Sequence, residues 1–262
     1  MQCSNVNRLI MPTYNIPNLG NACRLLRHIS EQTDGMNVTQ LSAALKLPRT
    51  TCLRIVHTLV AEGFLREQTG VYVLGGAVIP LGLKALQELD LYTQSTAILK
   101  DLTERTGETS HLAVWSDHRA LIVNVCDSPH PLRAASRPGT RAYGNCSATG
   151  KVLLAFNYME SLLEALPDNQ RAALTPKSIT DTDTLRVELR RVQALGYAMD
   201  DEEYNEGVRC LAAPVRNAHG EVCAAIGLTA ATLRFPEHKT AEIAREVCEA
   251  SRLLSCQLGW RT

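Results

Sequence analysis

The stretch LPRTTCLRIVHTLVAEGFLREQTGVYVL, residues 47–74, constrains the fold more than any other part of the chain. Cys52, Ile55, Val56, Leu59 and Val60 recur at three- and four-residue spacing, so they form one apolar stripe of a helix that has to be buried. Pro48 opens that helix, because a residue before proline is pushed out of the helical region and the preceding segment must stop at Leu47. After Gly63, the runs FLRE and VYVL on either side of Gln68-Thr69-Gly70 predict a small hairpin. The stripe needs partners. Upstream, Ala22, Leu25, Leu26 and Ile29 mark one face of a first helix, the segment EQTDGMN breaks it, and Thr39 is placed to cap a short second helix whose inward residues are Leu41, Ala44 and Leu45.

Three short helices followed by a hairpin form the winged helix-turn-helix pattern, in which the third helix lies in the major groove of duplex DNA. Its outward residues suit that role. Arg49, Thr50, Thr51 and Arg54, with His57 and Thr58, point away from the apolar stripe. Arginine grips guanine or phosphate with paired hydrogen bonds, and threonine makes short contacts to phosphate or a thymine methyl. Arg66, Gln68 and Thr69 would act as the wing, and Thr39 and Gln40 complete the DNA-facing set. Polar residues opposite a core stripe occur on any surface helix, so the whole pattern carries the reading and His57 alone carries little.

Composition bounds the rest. The chain has 262 residues, 45% of them apolar, enough for a core in each of two domains. Lysine plus arginine equals aspartate plus glutamate at 27 each, so no global field points to a partner, yet the segment up to Leu74 is locally basic. No run of roughly 18 apolar residues is present to span a membrane, and MQCSNVNRLIMPTYN lacks the pattern of a secretory signal, which predicts a cytoplasmic protein without a membrane partner. Nine cysteines without CxxC spacing are expected to be free thiols, most of them buried.

These patterns divide the chain into a DNA-binding domain over 17–76, a linker helix over 77–94 with Leu86 and Leu89 among its apolar residues, and a second domain over 95–260. The second domain reads as a helix (95–105), strands at 110–115, 121–126 and 132–136, a glycine-rich loop, a helix (149–157), helices near Leu162 and Leu189, strands at 197–200, 208–215 and 222–230, and a terminal helix. Adjacent strands joined by tight turns at Asp117-His118 and at 217–220 favour an antiparallel sheet flanked by helices. The fold class is α+β.

The blocks PRTTCLRIVHTLVAEGFL, LGLKALQELDL, CSATGKVLLAF, GYAMDDEEYNEGVRCLAAPV and AAIGLTAATLRF together resemble the IclR family of bacterial transcriptional regulators over nearly the whole chain. The resemblance implies a winged-helix domain, a linker helix and a GAF-like effector domain, in homodimers that often pair into homotetramers and control catabolic operons in response to small organic acids. Carried across by position, the effector pocket comprises Ala142, Ala148, Thr149, Gly150, Asp200, Cys210, Gly227 and Thr229. Two residues depart from the family pattern: Gly227 stands where a hydroxyl side chain is common, and Asn145 where histidine is. Physically, the loop CSATGK enters a helix whose first backbone N–H groups and positive end suit a carboxylate.

Other chemistry fits the residues less well. GNCSATGKV differs from a phosphate-binding loop twice, since five residues separate Gly144 from Gly150 and Val152 stands where serine or threonine is required. The histidines and cysteines of the second domain show no motif for an activated nucleophile, and the acidic run 200–203 reads as a solvated strand end with at most one functional member, so no catalytic residue, metal or cofactor is expected. Two alternatives remain open: a thiol or metal sensor built on Cys146, Cys210 and Cys223, and a small-molecule enzyme.

Overall fold

The computed structural model describes residues 16–32, 34–88 and 90–261. Arg8 and Cys3 therefore lie outside the described residues, as do Leu89 and the side chain of Leu86. The chain forms two compact units, one up to Ala85 and one from Leu86 onward.

In the first unit, α1 (Pro17–Ser30), α2 (Val38–Leu45) and α3 (Arg49–Ala61) precede a hairpin of β1 (Leu65–Gln68) and β2 (Val71–Leu74). Leu25, Ile29, Leu41, Leu45, Cys52, Ile55, Val56, Leu59 and Leu65 close one core. Two expected inward residues are displaced from it: Ala44 is exposed, and Val60 lies at the edge of the α3 stripe, also exposed. The cap of α2 is Asn37, not Thr39. The Gln40 N–H donates to Asn37 Oδ1 at 2.9 Å while the Asn37 N–H donates to Gln40 Oε1 at 2.8 Å, a reciprocal box that leaves Thr39 in the first turn. Lys46, in left-handed conformation, ends α2 and turns the chain into α3. At the hairpin tip Thr69 and Gly70 both take positive φ, the geometry that matches the twist of a two-residue turn.

α4 (Val78–Glu88) follows, then α5 (Asp90–Thr106), so the last residues assigned to the linker belong to the helix that opens the second unit. That unit is built on a six-stranded antiparallel sheet in the order β5-β4-β3-β8-β7-β6. The strands are β3 (Thr109–Ser116), β4 (Arg119–Cys126), β5 (Arg141–Tyr143), β6 (Ala198–Asp201), β7 (Val208–Arg216) and β8 (Val222–Ala231). α5 and α9 (Thr240–Gln257) pack on one face, where Leu99, Leu102, Leu112, Ile226, Val247 and Leu254 share a core. α6 (Ala148–Asn157) and α8 (Thr182–Leu195) cover the other through Leu153, Leu154, Leu185, Leu189 and Ala212, with the short α7 (Leu162–Ala165) beside them.

One expected strand is absent. Residues 132–136 form no ladder; Pro129, Pro131 and Pro138 flank the segment and supply no N–H with which a ladder could be extended into it, and pairing with β4 resumes at Arg141. Among the described residues no helix is long and apolar enough to cross a membrane.

Candidate functional site

The first unit presents one polar face. Arg49, Thr50, Arg54, His57 and Thr58 are exposed on α3 and Thr51 is half-buried beside them, because burial of Cys52, Ile55, Val56 and Leu59 turns the other side of the helix outward. Thr51, Arg54 and Thr58 share a shallow depression with Asn18 of α1. Arg66 and Gln68 are exposed on β1. Among the described residues Arg49, Arg54 and Arg66 form no ion pair, which leaves their donors free for phosphate or base. Thr39 and Gln40 are also exposed, but the Gln40 side chain is engaged in the α2 cap.

The second unit holds a cavity of about 260 Å³ between the sheet and the start of α6. Ala142 of β5, Ala148 and Thr149 of α6, Asp200 of β6, Cys210 of β7 and Thr229 of β8 all line it. Pairing explains part of this convergence. Asp200 sits opposite Cys210, and Cys210 opposite Thr229, so the three form a row across the sheet; the Cys210 thiol and Thr229 hydroxyl lie 3.2 Å apart. At the helix start Ser147 caps α6 by accepting the Gly150 N–H, which leaves the Ala148 and Thr149 N–H groups as the donors without an intrahelical partner.

Several cavity residues escaped the sequence reading. His111 of β3 and Ile122 of β4 line the wall, Ser136 and Thr140 come from the segment between β4 and β5, and Tyr204, Asn205 and Val208 from the β6–β7 region. No local pattern marks them. Only His111, a lone histidine in an apolar strand, carried a signal.

Within α6, Lys151 is fully buried and donates to Glu203 Oε1 at 2.5 Å, with Glu188 Oε1 3.7 Å away. Burial pushes the Glu203 carboxyl up to about 7, against the opposing pull of Lys151.

Both units match known family models: the IclR helix-turn-helix domain over residues 19–69, and the bacterial transcriptional regulator IclR C-terminal domain over residues 83–256. The chain belongs to the IclR family of bacterial transcriptional regulators. It is 31% identical over 238 residues to the HTH-type transcriptional regulator KdgR of Escherichia coli (strain K12), with 90% of each chain covered. An IclR transcriptional regulator from Alicyclobacillus acidocaldarius has the same fold at TM-score 0.80 and 26% identity, covering 94% of this chain and all of that one. An IclR homologue from Microbacterium hydrocarbonoxydans complexed with 4-hydroxybenzoate matches in fold at TM-score 0.75 and 21% identity, over 92% of this chain and 98% of that one. These relatives are regulators, not enzymes. This IclR-family regulator accordingly binds DNA through its helix-turn-helix and a small-molecule effector through its C-terminal domain.

Within the regulator's second domain, Gly150 and Gly227 do not line the cavity. A Cβ on Gly150 would lie 2.6 Å from the Gly144 Cα, so glycine there permits close packing of the loop on α6. Gly227 lies next to His111, where a Cβ would come within 3.0 Å of its Nε2. Asn145 is a buried clamp: its Nδ2 donates to the carbonyls of Ala172 and Ile179, and its Oδ1 accepts the Ala172 N–H. Burial pushes the thiols of Cys146, Cys210 and Cys223 up, away from the thiolate that a redox or metal sensor needs.

Asp200 is buried against the cavity and its Oδ1 accepts the N–H groups of Glu203 and Tyr204. Desolvation pushes its carboxyl up to about 6 in spite of those bonds. The folded protein thus holds this proton more tightly than the unfolded chain does. Stability conferred through Asp200 is present below the ordinary carboxylate range and is lost as pH rises through about 6. His111, lowered to about 4 by burial, acts in the opposite sense: its contribution is present above the ordinary imidazole value and is lost as pH falls. Comparing wild type with Asp200→Asn isolates the carboxyl. Denaturation at several pH values should show the wild type losing about 3 kcal/mol relative to the variant between about pH 4 and 7, because each tenfold difference in proton affinity between folded and unfolded chain is worth about 1.4 kcal/mol. Parallel stability curves would contradict this account.

Proposed function

We propose that this regulator binds, as a homodimer or a pair of dimers, an operator with two related half-sites, and that a small carboxylate effector in the C-terminal cavity controls its hold on a catabolic operon. The observation that carries the effector reading is the start of α6. There two unpaired backbone donors and the positive end of a helix meet a cavity walled by alanine, isoleucine and valine side chains together with Asp200, Cys210 and Thr229. The size of the cavity suits a small acid. A fold relative bound to 4-hydroxybenzoate, itself a carboxylate, is consistent with this chemistry. Two recognition helices of a symmetric dimer would read a site that mirrors the dimer's symmetry.

Thr149→Asp tests the effector site. Aspartate in the first turn is compatible with the helix, but it puts a fixed negative charge where the carboxylate would bind. At 100-fold excess over its dissociation constant an effector should stabilise the wild type by about 2.7 kcal/mol. The variant should lose both that thermal shift and the effector's influence on operator binding, while operator binding itself persists. An effector response retained at wild-type affinity would place the anion elsewhere.

A further inference from the structure

One residue of the cavity wall carries a polar atom that no described residue satisfies. His111 is 5% exposed and lines the cavity, and its Nδ1 is buried without a hydrogen-bond partner among the described residues. Buried polar atoms are nearly always paired, so an exception at a cavity wall points to a partner that the protein does not itself supply. The strand pairing shows how the ring reaches this place. His111 on β3 pairs with Gly227 on β8, which pairs in turn with Ala212 on β7. The absence of a side chain at Gly227 lets the ring lie against the sheet, where a Cβ would come within 3.0 Å of its Nε2, one row along the strands from Asp200, Cys210 and Thr229. Cys210 and Thr229 already contact each other, and Asp200 Oδ1 is held by backbone amides. His111 therefore adds unused hydrogen-bonding capacity to this wall.

We propose that His111 selects the effector by hydrogen-bonding a hydroxyl or carbonyl oxygen that the acid carries in addition to its carboxylate, so that oxygenated acids are preferred to their deoxy counterparts. This rests on the carboxylate reading of the cavity and adds its specificity. Because burial keeps the ring neutral at pH 7, one nitrogen donates and the other accepts, and either kind of oxygen can be served. A site with a polar group waiting for a ligand oxygen discriminates strongly against the analogue that lacks it, since binding that analogue leaves the group buried and unpaired.

Isothermal titration of the full chain with pyruvate and lactate against propionate, and with 4-hydroxybenzoate against benzoate, tests the proposal. The wild type should bind the oxygenated member of at least one series about tenfold or more tightly than its deoxy partner. His111→Phe should bring that ratio to about unity while binding of the deoxy acid stays within about threefold. Gly227→Ala, which adds a methyl group 3.0 Å from Nε2, should also erode the preference by moving the ring. Should His111→Phe fail to fold, long-range ¹⁵N spectra of the wild type decide the matter: the His111 ring nitrogens should shift with the oxygenated acid and not with the deoxy acid. A preference that survives in His111→Phe, or an unmoved His111 resonance, overturns the proposal. Acids bound without any preference also overturn it and leave the carboxylate reading standing; no acid bound at all overturns both.

Discussion

Raising the salt from about 50 to about 200 mM should weaken operator binding by about 10³-fold, although the chain carries no net formal charge. The charge that matters is local. Arg49, Arg54 and Arg66 are exposed and without ion pairs among the described residues, so a dimer would bring six free guanidiniums to DNA. If each neutralises one phosphate, at about −0.9 in the slope of log K against log salt, the slope is about −5. Arg54→Ala separates two roles within this total. Loss of a phosphate contact from each protomer would flatten the slope by about 2 with no change in sequence preference, whereas loss of a bidentate base contact would cost about 1 to 3 kcal/mol and relax one position per half-site. Fluorescence anisotropy on specific and scrambled duplexes measures both, and a slope near zero would mean that this face does not meet phosphate.

The second large effect concerns the buried ion pair. Lys151→Ala should destabilise the C-terminal domain by about 3 to 5 kcal/mol, because it strands Glu203, whose Oε2 has no hydrogen-bond partner among the described residues even before the substitution. With its carboxyl already pushed up to about 7, Glu203 can take a proton when the lysine is gone, so the loss should be smaller at pH 6 than at pH 8. Replacing both partners, as Lys151→Met with Glu203→Gln, should recover most of the stability, since the cost lies in the orphaned charge rather than in the missing attraction. Urea denaturation followed through the unfolding of this domain gives the numbers. A loss below about 1 kcal/mol for Lys151→Ala would show that water or a neighbouring group compensates Glu203.

Lys151 also illustrates what a linear reading misses. In the sequence it is one letter of CSATGKVLLAF, a lysine at a position that an amphipathic helix could expose. It is buried because α6 is covered on all sides, by the sheet, by α8 and by the loop carrying Glu203. Similarly, Thr39 has the residue type of a cap, yet Asn37 begins α2. The reciprocal bond to Gln40 decides it. The expected strand at 132–136 failed for a related reason: its apolar and small residues look extended, but the prolines that flank them cannot carry a ladder into the segment, and Ala134, Ala135 and Ser136 serve as cavity wall.

The winged domain can be read directly from the chain, because the features that specify it are local. Stripes at three- and four-residue spacing, a proline that starts a helix, a glycine in a tight turn and the polar residues left facing outward are all visible within one or two turns of chain. The antiparallel pairs of β3 with β4 and of β7 with β8 are equally legible, since short turns join their strands. Which residues meet at the cavity follows only from the packed fold. Asp200, Cys210 and Thr229 come into one row, and His111 comes to lie against Gly227, through the register of strands far apart in sequence. Register depends on which face of the sheet is buried along its whole length, and a shift of one residue would turn the histidine to the opposite side. That information belongs to the packing of helices on both faces of the sheet and is written in no single segment of the chain.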